Sequence, residues 1–161
     1  MKALFLDIDG VIATPTSMQS NRRRGLEPHE YRYDAMSLMY VGRLVARTGA
    51  QVVLSSTWRE DLDTGDPYLR AIVDNLCDQL SRSGAPIADV TPSIAGADRS
   101  AEVAAWLDGH PCEAWAIIDD RARFEQRPDV CDGHLVIIED SGGIRHQHFV
   151  RALEILSPEA C

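Results

Sequence analysis

Two rhythms run along this chain: short unbroken apolar runs, and longer stretches in which apolar residues return every three or four positions. The short runs predict strands at residues 2–8, Gln51 to Ser55, Ala114 to Ile118 and Leu135 to Ile138, with Ile87 to Val90 as a short edge strand after the Gly84-Ala85-Pro86 turn. The helical rhythm follows Asp34, a capping residue, with Met36, Met39, Tyr40 and Leu44 ahead of Gly49. It returns after Asp66-Pro67 with Leu69, Ile72, Val73, Leu76 and Leu80, and after Asp98 with Val103, Trp106 and Leu107 before Gly109. Phe149, Val150, Leu153 and Leu156 predict a closing helix.

Strands alternating with helices argue for an α/β fold with a mostly parallel central sheet flanked by helices and joined by right-handed crossovers. In such open sheets ligands gather at the carboxyl ends of the strands. The 161 residues, 45% of them hydrophobic, suffice for one domain with a core, read as residues 1–161. Between the first strand and the first patterned helix lies a long polar connection through about residue 33. Its Asn21-Arg22-Arg23-Arg24-Gly25 portion reads as an exposed loop.

Acidic side chains outnumber basic ones 25 to 16, and the net charge of −9 disfavours broad adhesion to nucleic acid or anionic membrane, though a local basic patch still suits a phosphate. Cys77, Cys112, Cys131 and Cys161 lack the paired spacing of zinc sites, and no secretory segment precedes the first strand, so reduced thiols in a cytoplasmic protein are expected. No apolar stretch has membrane-spanning length. His146 and His148, at i, i+2, face different sides of a helix, and His29, His110 and His134 are isolated; ordinary exposure is expected for the set, and no zinc.

Chemistry enters where carboxylates interrupt the apolar runs. Asp7 and Asp9 break Leu4-Phe5-Leu6-Asp7-Ile8-Asp9-Gly10-Val11-Ile12, and two acids at the end of a buried strand repel each other and resist desolvation unless a cation or proton offsets the cost. Ser55 and Ser56 close the second run, and Asp119 and Asp120 follow Ile117-Ile118. Carboxylates clustered without cysteine or histidine favour a hard, oxygen-seeking cation, above all Mg²⁺, which in turn points to phosphate.

In their order, Asp7-Ile8-Asp9-Gly10-Val11, the strand ending in Ser55, the basic Arg99 opening a helix and Ile117-Ile118-Asp119-Asp120 resemble the haloacid dehalogenase (HAD) superfamily of phosphohydrolases. More narrowly, Leu54-Ser55-Ser56-Thr57-Trp58-Arg59, the stretch from Arg99 to Leu107 and Ile118-Asp119-Asp120 resemble the small HAD domains associated with RNA-repair proteins. The resemblance implies a single Rossmann-like HAD domain with a minimal cap or none. It implies Asp7 as the nucleophile that becomes an aspartyl-phosphate, and Asp9 as the acid that protonates the leaving oxygen and later activates water. It places Ser55, with Ser56 as the second candidate, on a phosphoryl oxygen, and Arg99 where the family uses a lysine or arginine to neutralise phosphate. Mg²⁺ would be held by Asp7, the backbone carbonyl of Asp9, and Asp119 or Asp120, with the choice within that last pair left open.

Substrate choice lies outside these motifs, in residues 13–33, a candidate small cap or substrate loop, and in the Arg59 to Pro67 region. An open site admits a bulky phosphorylated substrate such as a nucleic-acid end or a nucleotide, with Arg22, Arg23 and Arg24 as receivers of backbone phosphates. Trp58, Tyr31 and Tyr33 are read as packing residues. Two other readings compete: a non-catalytic phosphate-binding or protein-interaction module of a repair assembly, and a nucleotidase acting on free mononucleotides.

Overall fold

The computed structural model describes residues 1–121 and 124–157. Five strands, β1 (Lys2–Leu6), β2 (Gln51–Leu54), β3 (Ile87–Val90), β4 (Ala114–Asp119) and β5 (Leu135–Ile137), form one sheet in the order β3-β2-β1-β4-β5. Every pairing is parallel. Five helices accompany them: α1 (Pro15–Arg23), α2 (Ala35–Thr48), α3 (Pro67–Arg82), α4 (Arg99–Gly109) and α5 (His146–Leu156).

Successive side chains of β1 serve opposite faces of the sheet. Leu4 and Leu6 join the core made with Tyr40 and Leu44 of α2, Leu76 and Leu80 of α3 and Phe149 of α5. Ala3 and Phe5 join the other, made with Val103, Ala104 and Trp106 of α4, where the Phe5 and Trp106 rings meet edge to face. Covered on both sides, this strand is apolar without alternation, as parallel strands are.

The helix signals lie where the sequence places them. Asp34, Asp66 and Asp98 each accept hydrogen bonds from the first turn of the following helix, and Gly49 closes α2 in the left-handed conformation (φ 69°). The strand ends run differently: β1 stops at Leu6, β2 at Leu54 and β5 at Ile137, short of the expected residues 8, 55 and 138.

The expected exposed loop from Asn21 to Gly25 is corrected in its first three residues. Residues 15–23 are helical, because Thr14 and Ser17 form a reciprocal capping box and Pro15 fills the first turn, and Arg24 and Gly25 lie exposed beyond the helix. Asn21 is buried, and its amide donates to the Arg32 carbonyl (2.9 Å) while its oxygen accepts from the Arg32 N–H (3.1 Å). Among the histidines only His29 and His146 are exposed. His148 is buried, and His110 and His134 are half-buried, stacked on Trp106 (4.0 Å) and Trp115 (3.9 Å). Cys77, Cys112 and Cys131 are free thiols, whereas Cys161 lies outside the described residues. Among the described residues no helix is long and apolar enough to cross a membrane.

Candidate active site

Strand order reverses at β1: the chain moves outward through β2 and β3 on one side, then returns to add β4 and β5 on the other. The loops leaving β1 and β4 therefore diverge, opening a crevice at their carboxyl ends. Backbone hydrogen bonds set the residues that enter it. The Asp7 N–H donates to the Ile118 carbonyl and the Ser55 N–H to the Leu6 carbonyl, both at 3.0 Å. Asp7 and Ser55 are thus fixed one residue beyond their strands, beside Asp119, the last residue of β4, and Asp120.

Asp7, Asp119 and Asp120 each offer a carboxylate oxygen within 4.8 Å of the others. Gly10 permits that approach. It lies at φ 77°, and a Cβ there would occupy the space of the Asp120 carboxylate. From the opposite side Ser141 Oγ donates to Asp120 Oδ2 (2.7 Å), held by a turn in which Asp140 and Ser141 both adopt positive φ.

Arg99, the first residue of α4, brings its guanidinium to Asp7 Oδ1 (3.7 Å) and Asp119 Oδ2 (3.6 Å). Asp98 sets this position by accepting from the Ala101 N–H of α4 and from the Glu125 and Gln126 N–H groups of the next loop. Burial pushes the Asp7 carboxyl above its ordinary pKa, with Arg99 and a Ser56 hydrogen bond pulling it back. Burial, then the Asp7 charge, raises Asp119 to about 7. A group of buried acids so close together favours ionisation only with positive charge beside it.

The donor set fits a divalent cation and a phosphate. Asp120 Oδ1 is a buried oxygen with no hydrogen-bond partner among the described residues, as a cation ligand requires. Ser55 Oγ and Arg99 Nη1 are buried and equally unpartnered, and both can donate to an oxyanion. The two serines thus divide: Ser56 serves Asp7, while the Ser55 hydroxyl stays uncommitted.

Asp9 stands on the solvent side of this group, half-buried, and Trp58 Nε1 donates to its Oδ2 (3.1 Å). Tyr33 packs edge-on against Trp58 (6.1 Å), with its hydroxyl buried and its pKa raised by burial and by the nearby Asp9 charge. Trp58 is therefore more than the packing residue the sequence suggests, and nothing in an apolar strand flank signals its bond to a distant acid. Arg59 was equally hidden. Its Nη1 donates to the Ser55 and Ser56 carbonyls (3.0 and 3.1 Å) and its Nη2 to Glu102 of α4 (2.7 Å), so a buried ion pair ties the serine loop to the helix carrying Arg99.

Two cavities share Met18 of α1 in their walls. One, about 470 Å³, is mainly apolar, lined by Tyr31, Trp58, Leu69, Ile72 and Val73, with Glu60 and Asp61 also in its lining. The other, about 620 Å³, holds Asp9, Asp120 and Arg22. Arg23 and Arg24, also expected at the substrate, are exposed, Arg23 in the last turn of α1 and Arg24 at its carboxyl end.

Comparison with solved structures places the D,D-heptose 1.7-bisphosphate phosphatase from B. bronchiseptica, crystallised with magnesium and phosphate, on this fold. The TM-score is 0.52 at 20% identity, over 78% of this chain and 74% of that one. Comparison with curated proteins gives no match. The family model described as the HAD domain in Swiss Army Knife RNA repair proteins matches residues 3–149, nearly the whole chain and every residue of the acidic crevice, and the chain belongs to that family.

Proposed function

We propose that this domain is a Mg²⁺-dependent phosphomonoester hydrolase working through an aspartyl-phosphate. The observation carrying this reading is the convergence of Asp7, Asp119, Asp120 and Arg99 at one strand-end crevice. Asp7, Asp119 and Asp120 would hold the cation, which when bound supplies positive charge to the phosphoryl oxygens and keeps the carboxylates ionised.

In the first step a carboxylate oxygen of Asp7 bonds to phosphorus as the bond from phosphorus to the leaving oxygen breaks, and Asp9 gives that oxygen a proton. In the second, Asp9 takes a proton from water as the water oxygen bonds to phosphorus and the bond to Asp7 breaks, releasing inorganic phosphate. Arg99 and the Ser55 hydroxyl steady the oxyanion, so that positioning and charge do most of the work. The Trp58 hydrogen bond holds the Asp9 carboxyl in one orientation between crevice and leaving group.

As substrates we infer nucleic-acid ends or nucleotides. The description of the family supports this, as does the apolar cavity beside Trp58, whose rings and aliphatic walls suit a base. The test is release of phosphate with Mg²⁺ from p-nitrophenyl phosphate, sugar phosphates, nucleotides and phosphorylated oligonucleotides. Asp7→Asn is expected to lower turnover by about 10⁴-fold or more and to leave no acid-stable phosphate on the protein. Undiminished activity in that variant would remove Asp7 as nucleophile.

A further inference from the structure

Arg22 and Arg23 lie in the last turn of α1 and Arg24 caps it, yet the three arginines face different surroundings. Pro15, Met18, Gln19 and Arg22 recur at i, i+3, i+4 and i+7, which makes them one stripe. That stripe, with Thr16, walls the 620 Å³ cavity whose far side is Asp9 and Asp120. All three arginines are exposed, but Arg23 and Arg24 contribute nothing to its lining.

We propose that this cavity is a subsite for a second phosphate on the leaving-group side of the substrate, with Arg22 as its cation. The proposal rests on the phosphohydrolase reading and deepens it by giving the substrate a second anionic group. Position supports it: the cavity includes Asp9, the residue assigned to the leaving oxygen, so whatever departs from phosphorus passes along this wall. Charge supports it as well. In a chain of net charge −9, with two carboxylates opposite, an anion rests here only against a fixed positive charge. Among the described residues no carboxylate lies within ion-pairing distance of Arg22, which leaves its guanidinium fork for two phosphate oxygens. Thr16 and Gln19 add a hydroxyl and an amide on the same wall. The cavity beyond Met18 has no basic residue in its lining and carries the carboxylates of Glu60 and Asp61, so the anionic part of a substrate is directed to the Arg22 side.

The second phosphate is a monoester in a nucleoside bisphosphate and a diester in a nucleic-acid strand. Kinetics with Mg²⁺ on adenosine 3′,5′-bisphosphate, a phosphorylated dinucleotide and the two adenosine monophosphates separate these sources. In the wild type kcat/KM for at least one doubly phosphorylated compound exceeds that for the monophosphates by about tenfold or more. Arg22→Ala erases that preference through KM, while Arg23→Ala and Arg24→Ala keep it. Preference for the bisphosphate alone marks a monoester ligand, and preference for the dinucleotide marks a strand. A wild type without preference, a preference surviving Arg22→Ala, or equal losses in all three variants would overturn the subsite. Should no ester be hydrolysed, the phosphohydrolase reading fails instead. Calorimetric binding of the bisphosphate to wild type and Arg22→Ala then decides the subsite: an equal affinity, or no binding to either, overturns it.

Discussion

The crevice at the ends of β1, β2 and β4 and the segment from residue 13 to residue 33 meet at Asp9, yet they are built on different plans. The crevice is knit by contacts between residues far apart in sequence: Arg59 to Glu102, Arg99 to Asp7 and Asp119, Ser141 to Asp120. The 13–33 segment is held by near neighbours over its helix, the Thr14–Ser17 box and the Asn21–Arg32 pair, and by α3 at its end, where Asn75 and Gln79 donate to the Tyr31 carbonyl and the Tyr33 N–H donates to Gln79. Chemistry that must keep atoms in register sits on the first plan. A wall that meets varied substrates sits on the second, where one residue can change without moving the nucleophile.

The strongest way to break this contrast is to cut the buried pair. Arg59 and Glu102 are both nearly closed to solvent, and removing one partner strands the other charge. Arg59→Met is expected to cost about 3–5 kcal/mol in a denaturant titration. It also frees the Ser55 and Ser56 carbonyls, so activity falls even where the variant stays folded. Arg59→Met combined with Glu102→Leu recovers much of the stability but not the activity, because the serine loop has still lost its tie.

Two glycines sharpen the contrast. Gly10 and Gly25 share nearly the same left-handed backbone (φ 77° and 68°), but a Cβ at Gly10 meets Asp120 while one at Gly25 meets nothing within 4 Å. Gly25→Ala carries the conformational cost alone, about 1–2 kcal/mol, with activity intact. Gly10→Ala adds overpacking of about 1–3 kcal/mol to it and pushes Asp120 away from Asp7 and Asp119. Thermal melts and phosphate release on the two variants check the prediction; equal losses of activity would mean that Gly10 serves only its turn.

What the sequence made legible follows the same division. Asp7, Asp9, Asp119 and Asp120 stand out because carboxylates in apolar runs are costly and therefore informative. The Asp34, Asp66 and Asp98 caps are visible because a cap is a local event. Helix α1 escaped because its sequence, Pro15-Thr-Ser-Met-Gln-Ser-Asn-Arg-Arg23, has no apolar stripe to betray it. Its burying residue is Asn21, whose partner is a backbone eleven residues away. Trp58, Arg59 and Ser141 escaped for a different reason: each acts through a partner 21 to 49 positions distant, and no local pattern encodes such pairings.

The smallest effect separates the two plans by pH. Helix α4 is capped by a charge, Asp98, whereas α1 is capped by the neutral hydroxyls of Thr14 and Ser17. Slight burial opposes ionisation of Asp98, but hydrogen bonds from Ser100 and from the Gln126, Glu125 and Ala101 N–H groups outweigh it and bring the pKa to about 2 from 3.8. A carboxyl depressed on folding contributes stability that is fully present above its unfolded pKa and is lost as pH falls through the folded one. The α4 cap therefore weakens between pH values of about 4 and 2, while that of α1 does not titrate. Asp98→Ala costs about 1 kcal/mol at pH 6, and less as the pH approaches 2. Hydrogen exchange checks this directly: on acidification, protection at Ala101, Glu125 and Gln126 drops ahead of protection at Ser17 and Met18. If the two groups loosen together, the charged cap on α4 is not what holds Arg99 at the crevice.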